Sequence, residues 1–254
     1  SYQMMKGEMY MNSDATIIRP RFTYTEKAYV PNTSNVFIIV EETMKLMENY
    51  FKKSAPAFQL VNNLRFNYPE TSTTYDEIHI CMDTSWSQIV FQFSHEFCHL
   101  LIGNPIPPSM RWFEESVCEL ASLFFLEKLA IIWGQSGLLA HPEYAPSLIS
   151  YRTNRINSVE DLKNPSELSD PSSAIWKDAI ANCYNRNFNL QIAKLLLPVF
   201  SKYPQLWETV PLLCRLPAQD SVSFPMYLCI WHILAGDSYK QPLNELASIF
   251  HCSI

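Results

Sequence analysis

Five glycines in 254 residues leave little room for glycine-built chemistry. The chain contains no Walker A loop, no G-x-G-x-x-G turn and no G-x-S-x-G nucleophile elbow, which excludes the phosphate-cradling, dinucleotide-binding and serine-hydrolase sites built on those loops. Basic runs are equally scarce. The longest is Lys52-Lys53 and the formal net charge is −6, so neither a nucleic-acid surface nor a polybasic membrane anchor is expected. No apolar run approaches the roughly 20 residues a bilayer span needs, since the longest candidate, Leu120 to Trp133, is broken by Glu127 and Lys128. The seven cysteines never form a C-x-x-C pair, and in a chain of this size they point to reduced core thiols and a cytoplasmic setting. No basic stretch followed by an apolar one is visible near residue 1, and no repeat or low-complexity segment is apparent.

What the chain does have is material for a large core: 48% hydrophobic and 13% aromatic residues, enough for one domain or two closely packed lobes. Within it, Phe93-Ser94-His95-Glu96-Phe97-Cys98-His99-Leu100-Leu101 contains H-E-x-x-H. On a helix, residues four apart are one turn apart, so His95 and His99 share a face about 6 Å apart along the axis. That face can offer two imidazoles to one metal ion. Glu96 lies about 100° round from His95, near enough to hold a water at the metal but not to be a third ligand, which makes it the general-base candidate. Burying two imidazoles and a carboxylate with no metal would be costly, which sets the functional reading above a purely structural one.

The elements around this stretch follow from local pattern. Tyr10 to Val30, rich in Thr, Ile, Tyr and Phe, reads as one or two strands, and Asn35 is a candidate N-cap for an amphipathic helix running to Phe51. Phe58 to Tyr68 and Glu77 to Asp83 read as two further strands. Asp83, Thr84 and Ser85 form an N-cap cluster for a helix over Trp86 to Ile102, with Gly103 at its end.

Beyond a proline-rich loop, Ser109 is a candidate N-cap for a second helix from Arg111 to about Trp133. Along it Glu115, Glu119 and Ser122 make one polar stripe on an otherwise apolar helix, and buried acids need a partner. From Gly134 to Pro171 the sequence reads as a long loop with short helical turns. Helices are predicted near Ser172–Arg186, Leu190–Lys202, Gln205–Arg215, Phe224–Ala235 and Leu243–Cys252.

H-E-F-C-H at 95–99, followed by W-F-E-E at 112–115, resembles the gluzincin clan of zinc peptidases, which includes thermolysin-like enzymes and zinc aminopeptidases. The resemblance covers about residues 77–133. It implies zinc held by His95, His99 and Glu115, with Glu96 as the catalytic general base. It also implies that Glu119, one turn beyond the third ligand, orients a zinc histidine from the outer shell. The spacing from His99 to Glu115 is shorter than in the best-known aminopeptidases. The G-A-M-E-N element is missing too: Met47-Glu48-Asn49 is similar to part of it but sits on an amphipathic helix far upstream without Gly-Ala. The metzincin pattern fails because it needs Gly at Ile102 and His at Pro105.

The resulting expectation is an α+β, zincin-like fold. A catalytic core over 1–133 carries a small mixed β-sheet and the active-site helix, and an all-helical C-terminal lobe over 134–254 closes the cleft. By the same resemblance, the strand from Glu77 to Asp83 lies at the cleft edge, where it can pair with an extended peptide. The expected function is zinc-dependent hydrolysis of a peptide or protein substrate, with no nucleic acid and no membrane span involved. A catalytically silent binding or regulatory module and a non-peptidase zinc hydrolase fit the same residues. For an oxyanion donor the candidates are His141, Tyr144, Tyr151, Tyr184, Tyr227 and His232, with Trp176 at the position the aminopeptidase pattern suggests for a tyrosine, and nothing in the sequence chooses among them.

Overall fold

Apolar residues recur at three- and four-residue spacing from Val36 to Phe51, and there the chain forms its first helix, α1 (Thr33–Phe51). The computed structural model that shows it describes residues 22–25, 33–62, 70–72, 77–104, 106–135, 141–215 and 222–254. The helix starts two residues before Asn35, which is therefore inside it and is not its cap. It stops where Lys52 turns left-handed at φ 51°. Two side chains secure that end: Glu48 Oε2 accepts the Ala55 N–H at 2.8 Å, and Lys53 Nζ donates to the Leu101 carbonyl at 2.6 Å. Met47, Glu48 and Asn49 thus serve the helix: Met47 is core, Glu48 caps, and Asn49 accepts from Lys52.

Four strands accompany it: β1 (Phe22–Thr25), β2 (Phe58–Asn62), β3 (Glu70–Ser72) and β4 (Glu77–Ile80). Their order is β1-β2-β4-β3, with β1/β2 and β2/β4 parallel and β3/β4 antiparallel. α1 is the crossover that joins parallel β1 to β2. Among the described residues no strand exceeds five residues, whereas eight α-helices fill most of them. The expected α+β, zincin-like class with a sheet-based N-terminal lobe is therefore overturned: the architecture is mostly helical, and the strands are a minor patch. The error came from reading β-branched and aromatic composition as long strands. Glu77–Asp83, described throughout, yields strand only to Ile80. Residues 10–21, 26–30 and 63–68 of the predicted strands lie outside the described residues. β4 is not an edge either, because β3 pairs along its outer side through Glu70↔His79, Thr71↔Ile78 and Ser72↔Glu77.

α2 (Trp86–Ile102) begins where Ser85 Oγ accepts the Gln88 N–H and ends at Gly103, whose φ of 93° only glycine adopts without strain. Its core face carries Ile89, Val90, Phe93, Phe97 and Leu101, all fully buried. Phe58 of β2 packs against Phe93 and Phe97 with ring centroids 6.2 and 5.8 Å away. Each such ring contributes about 1.5–3 kcal/mol by leaving water.

α3 (Arg111–Gly134) follows a 3-10 turn, Pro108–Met110. Ser109 sits buried inside that turn and is not the cap of α3. Where a long loop was expected, the chain forms α4 (Ala145–Asn157) and a second 3-10 turn, Pro165–Ser169. α5 (Ala174–Ala181), α6 (Arg186–Lys202), α7 (Phe224–Ala235) and α8 (Lys240–Ile249) complete the helices. Pro204–Arg215 is a 3-10 segment and not the predicted α-helix; Pro211 lacks the N–H that an i→i−4 ladder would use there.

Two compact units result. One comprises Ser1–Leu101 with Phe125–Arg152, the other Ile102–Phe124 with Thr153–Ile254. The first has a core of Phe51, Phe58, Phe93, Phe97 and Phe125. The second is built on Trp112, Phe113, Trp207, Phe224, Tyr227 and Trp231. Among the described residues, no helix is long and apolar enough to cross a membrane.

Candidate metal centre

The core face of α2 fixes what its other face presents. With Phe93, Phe97 and Leu101 turned inward, His95 and His99 fall on a half-buried face with ring centroids 5.1 Å apart, their planes inclined at 60°. Glu96, between them in sequence, is 3% exposed.

α3 is held in rotation just as firmly. Trp112 packs against Trp176, Phe188 and Phe224, and Phe113 against Phe224, Tyr227 and Trp231, with centroids 4.9–6.3 Å apart. Ser116 hides its hydroxyl by donating to the Trp112 carbonyl at 2.7 Å, and its oxygen also lies 3.4 Å from Asn189 Oδ1. Asn189 in turn donates to the Cys183 carbonyl at 2.9 Å. With two aromatic anchors behind it, Glu115 has its direction set by the helix.

Ligand atoms of His95, His99 and Glu115 all lie within 4.8 Å of one another, and each residue is half-buried. Donors at about 2.1 Å around a tetrahedral ion sit about 3.4 Å apart, so side-chain rotations of an ångström or so would close the group on a metal. The donor chemistry fits as well: two imidazole nitrogens and one carboxylate oxygen suit a divalent ion of intermediate softness. This His–His–Glu group could hold a metal ion.

The charge of Glu115 is felt nearby. Burial pushes the Cys183 thiol above its ordinary pKa, and the Glu115 carboxylate adds to that. Glu119, one turn further along α3, is 5% exposed and meets Arg155 of α4, whose Nη2 lies 3.4 Å from its Oε1. Arg155 has no signal in the sequence, because α4, with only Ala145 and Leu148 buried, carries no apolar stripe to mark it as a helix.

The candidate oxyanion donors lie in varied settings. Tyr227 is fully buried and donates to the Leu213 carbonyl at 3.5 Å; burial, with the charge of Glu114 added, holds its phenol far above its usual pKa. Tyr144 lies on Trp86 at 4.1 Å, His141 between Trp86 and Trp133 at 5.8 and 5.2 Å, and Tyr151 against Phe91 at 5.6 Å. Trp176 packs on Trp112, and Tyr184 is exposed. His232 is half-buried on α7, its Nε2 without a hydrogen-bond partner among the described residues. No protein-family model and no curated protein matches the chain, so the site is identified by its three donors alone.

Proposed function

We propose that the chain is a zinc-dependent metallopeptidase with a gluzincin-type donor set: His95, His99 and Glu115 as ligands and Glu96 as general base. One observation carries the reading. The ligand group contains three protein donors and no thiolate, although the chain has seven cysteines. Structural zinc sites are closed by four ligands, commonly cysteines, whereas three nitrogen and oxygen donors leave a position open for chemistry.

Zinc, when bound, supplies Lewis acidity and brings deprotonation of water within reach at neutral pH. The protein supplies the rest. Glu96, on the turn that carries both histidines, takes the proton of the attacking water and returns it to the departing amine. Its burial favours this, because a carboxylate shielded from bulk water interacts more strongly with charge developing beside it. The aromatic anchors Trp112 and Phe113 keep Glu115 aimed, so little rearrangement is needed when the donors close.

The test is zinc content per chain for the parent and Glu115→Ala, followed by turnover of a broad peptide library by the parent and Glu96→Gln. The expectation is near-stoichiometric zinc that falls sharply in Glu115→Ala. Glu96→Gln should keep its zinc and lose about 100-fold or more in kcat. A parent that cannot be loaded with metal, or a Glu96→Gln variant that cleaves as well as the parent, overturns the proposal. Turnover of esters but of no peptide would transfer it to a non-peptidase hydrolase.

A further inference from the structure

We infer that Arg155 is a positioning residue for this centre, acting through Glu119; the inference rests on the metal-centre reading above. Its starting point is an almost buried carboxylate. The Glu119 side chain is 7% exposed, and a charge taken that far out of water is costly unless another charge meets it. Arg155 meets it at 3.4 Å, from a side chain that is itself one-third exposed.

Glu119 also lies four residues beyond Glu115. At that spacing the two carboxylates are neighbours on one face of α3, and like charges so placed repel. Glu115 must carry full negative charge in a fixed direction to serve as a ligand. A guanidinium on Glu119 offsets the local excess of negative charge and gives Glu119 a partner other than the ligand group. It thereby holds the stripe Glu115–Glu119 in one arrangement before any metal arrives. Groups behind a metal ligand that orient it in this way are worth about 10- to 100-fold in affinity.

α4 supplies its own control. Arg152, three residues before Arg155, makes a shorter ion pair at 2.8 Å between its Nη2 and Glu127 Oε2. Both arginines join α4 to α3, but Glu127 is twelve residues, about 18 Å of helix, beyond Glu115. A purely structural tether is lost with either arginine. A positioning effect is lost only with Arg155.

The experiment is chelator-competed zinc affinity of the full chain at fixed pH, with the melting temperature of the metal-free form measured alongside. Arg155→Met and Glu119→Gln should each weaken zinc binding by about 10- to 100-fold, and the double variant should be no weaker than the weaker single one, since both remove the same contact. Arg155→Lys, which keeps the charge and is the safer variant for folding, should fall between parent and Arg155→Met. Arg152→Met should lower the melting temperature and leave zinc affinity unchanged. Zinc affinity unaltered in Arg155→Met, fully additive losses in the double variant, or an equal loss in Arg152→Met would each overturn the inference while leaving the metal-centre reading intact. A parent that binds no zinc defeats both.

Discussion

Opposite faces of α2 should fail in opposite ways, and the difference can be worked out from what each face touches. His99 is half-buried in the ligand group, so His99→Ala should cost the metal-free protein no more than about 1 kcal/mol. At this chain length that is roughly 2–4 °C in Tm. Its effect should appear on adding zinc. A ligand at a thousandfold excess over Kd stabilises the folded state by about 4 kcal/mol, or roughly 8–16 °C, and with one of three donors gone most of that increment should disappear. Phe97 is the reverse case. It is fully buried between Phe93 and Phe58, at 5.2 and 5.8 Å, so Phe97→Ala leaves a cavity costing about 3–5 kcal/mol with or without zinc. If the variant folds, its zinc increment should survive, because the imidazoles are still four residues apart on one helix. Differential scanning calorimetry of both variants, with EDTA and with zinc, makes the comparison. A full zinc increment in His99→Ala, or an equal loss of increment in Phe97→Ala, would refute the assignment of the two faces.

Three further outcomes are expected away from the centre. Trp133 Nε1 donates to Glu42 Oε2 at 2.6 Å, and burial pushes that carboxyl's pKa up although Trp133, His141 and Lys45 hold it down. Trp133→Phe should cost about 1.5–3 kcal/mol at pH 7. Because a raised acid pKa lowers stability as the pH rises through it, the penalty should shrink on acidification below the Glu42 pKa; an equal penalty in urea melts at both ends would refute this. The Tyr239 phenol, bonded to Glu208 Oε2 at 2.7 Å, is pushed up to about 12, mainly by that bond. Its contribution is full below the ordinary tyrosine pKa and is lost as the pH climbs through the raised value; among the late-titrating tyrosines, which include Tyr227, tyrosinate absorbance should show a group that Glu208→Gln shifts earlier. Asn185 Oδ1 accepts the Phe188 N–H at 3.2 Å as the N-cap of α6, so Asn185→Ala should lower stability by about 1 kcal/mol in a calorimetric melt.

How much of this the sequence disclosed depended on how local each signal was. α2 and α7 occupy the predicted spans, Trp86–Ile102 and Phe224–Ala235, because Ser85 and Ser223 cap them and Gly103 and Gly236 end them, all within a turn of the residues concerned. The two histidines were legible because one helix carries both, and Glu115 because Trp112-Phe113-Glu114-Glu115 is a short, contiguous pattern. α4 was hidden by its polarity: only Ala145 and Leu148 of its residues are buried, so no apolar stripe announced a helix, and the Arg155–Glu119 pair stayed out of sight with it. β3 is three polar residues with no alternation to read, yet it covers the outer side of β4. The fold class failed for the converse reason: Glu77–Asp83 alternates over seven residues yet β4 ends at Ile80, and eight α-helices outweigh the strands among the described residues.

The interleaving of the two compact units sets a timetable for synthesis. The unit that holds His95 and His99 needs Phe125–Arg152 to be complete, and Phe51 of α1 stacks on Phe125 at 6.3 Å. At about 5–20 residues per second, the ribosome takes roughly 2.5–10 s to travel from residue 101 to residue 152. Through that interval the apolar faces of α1 and α2 wait without the segment that closes over them. The other unit has a gap of its own, since its stretch Ile102–Phe124 emerges before any of Thr153–Ile254. Neither half can therefore finish folding while it is being made in one piece. Truncations after residue 101 or residue 133 should leave sticky, chaperone-bound fragments, and the nascent chain should first resist protease once residue 152 has cleared the exit tunnel.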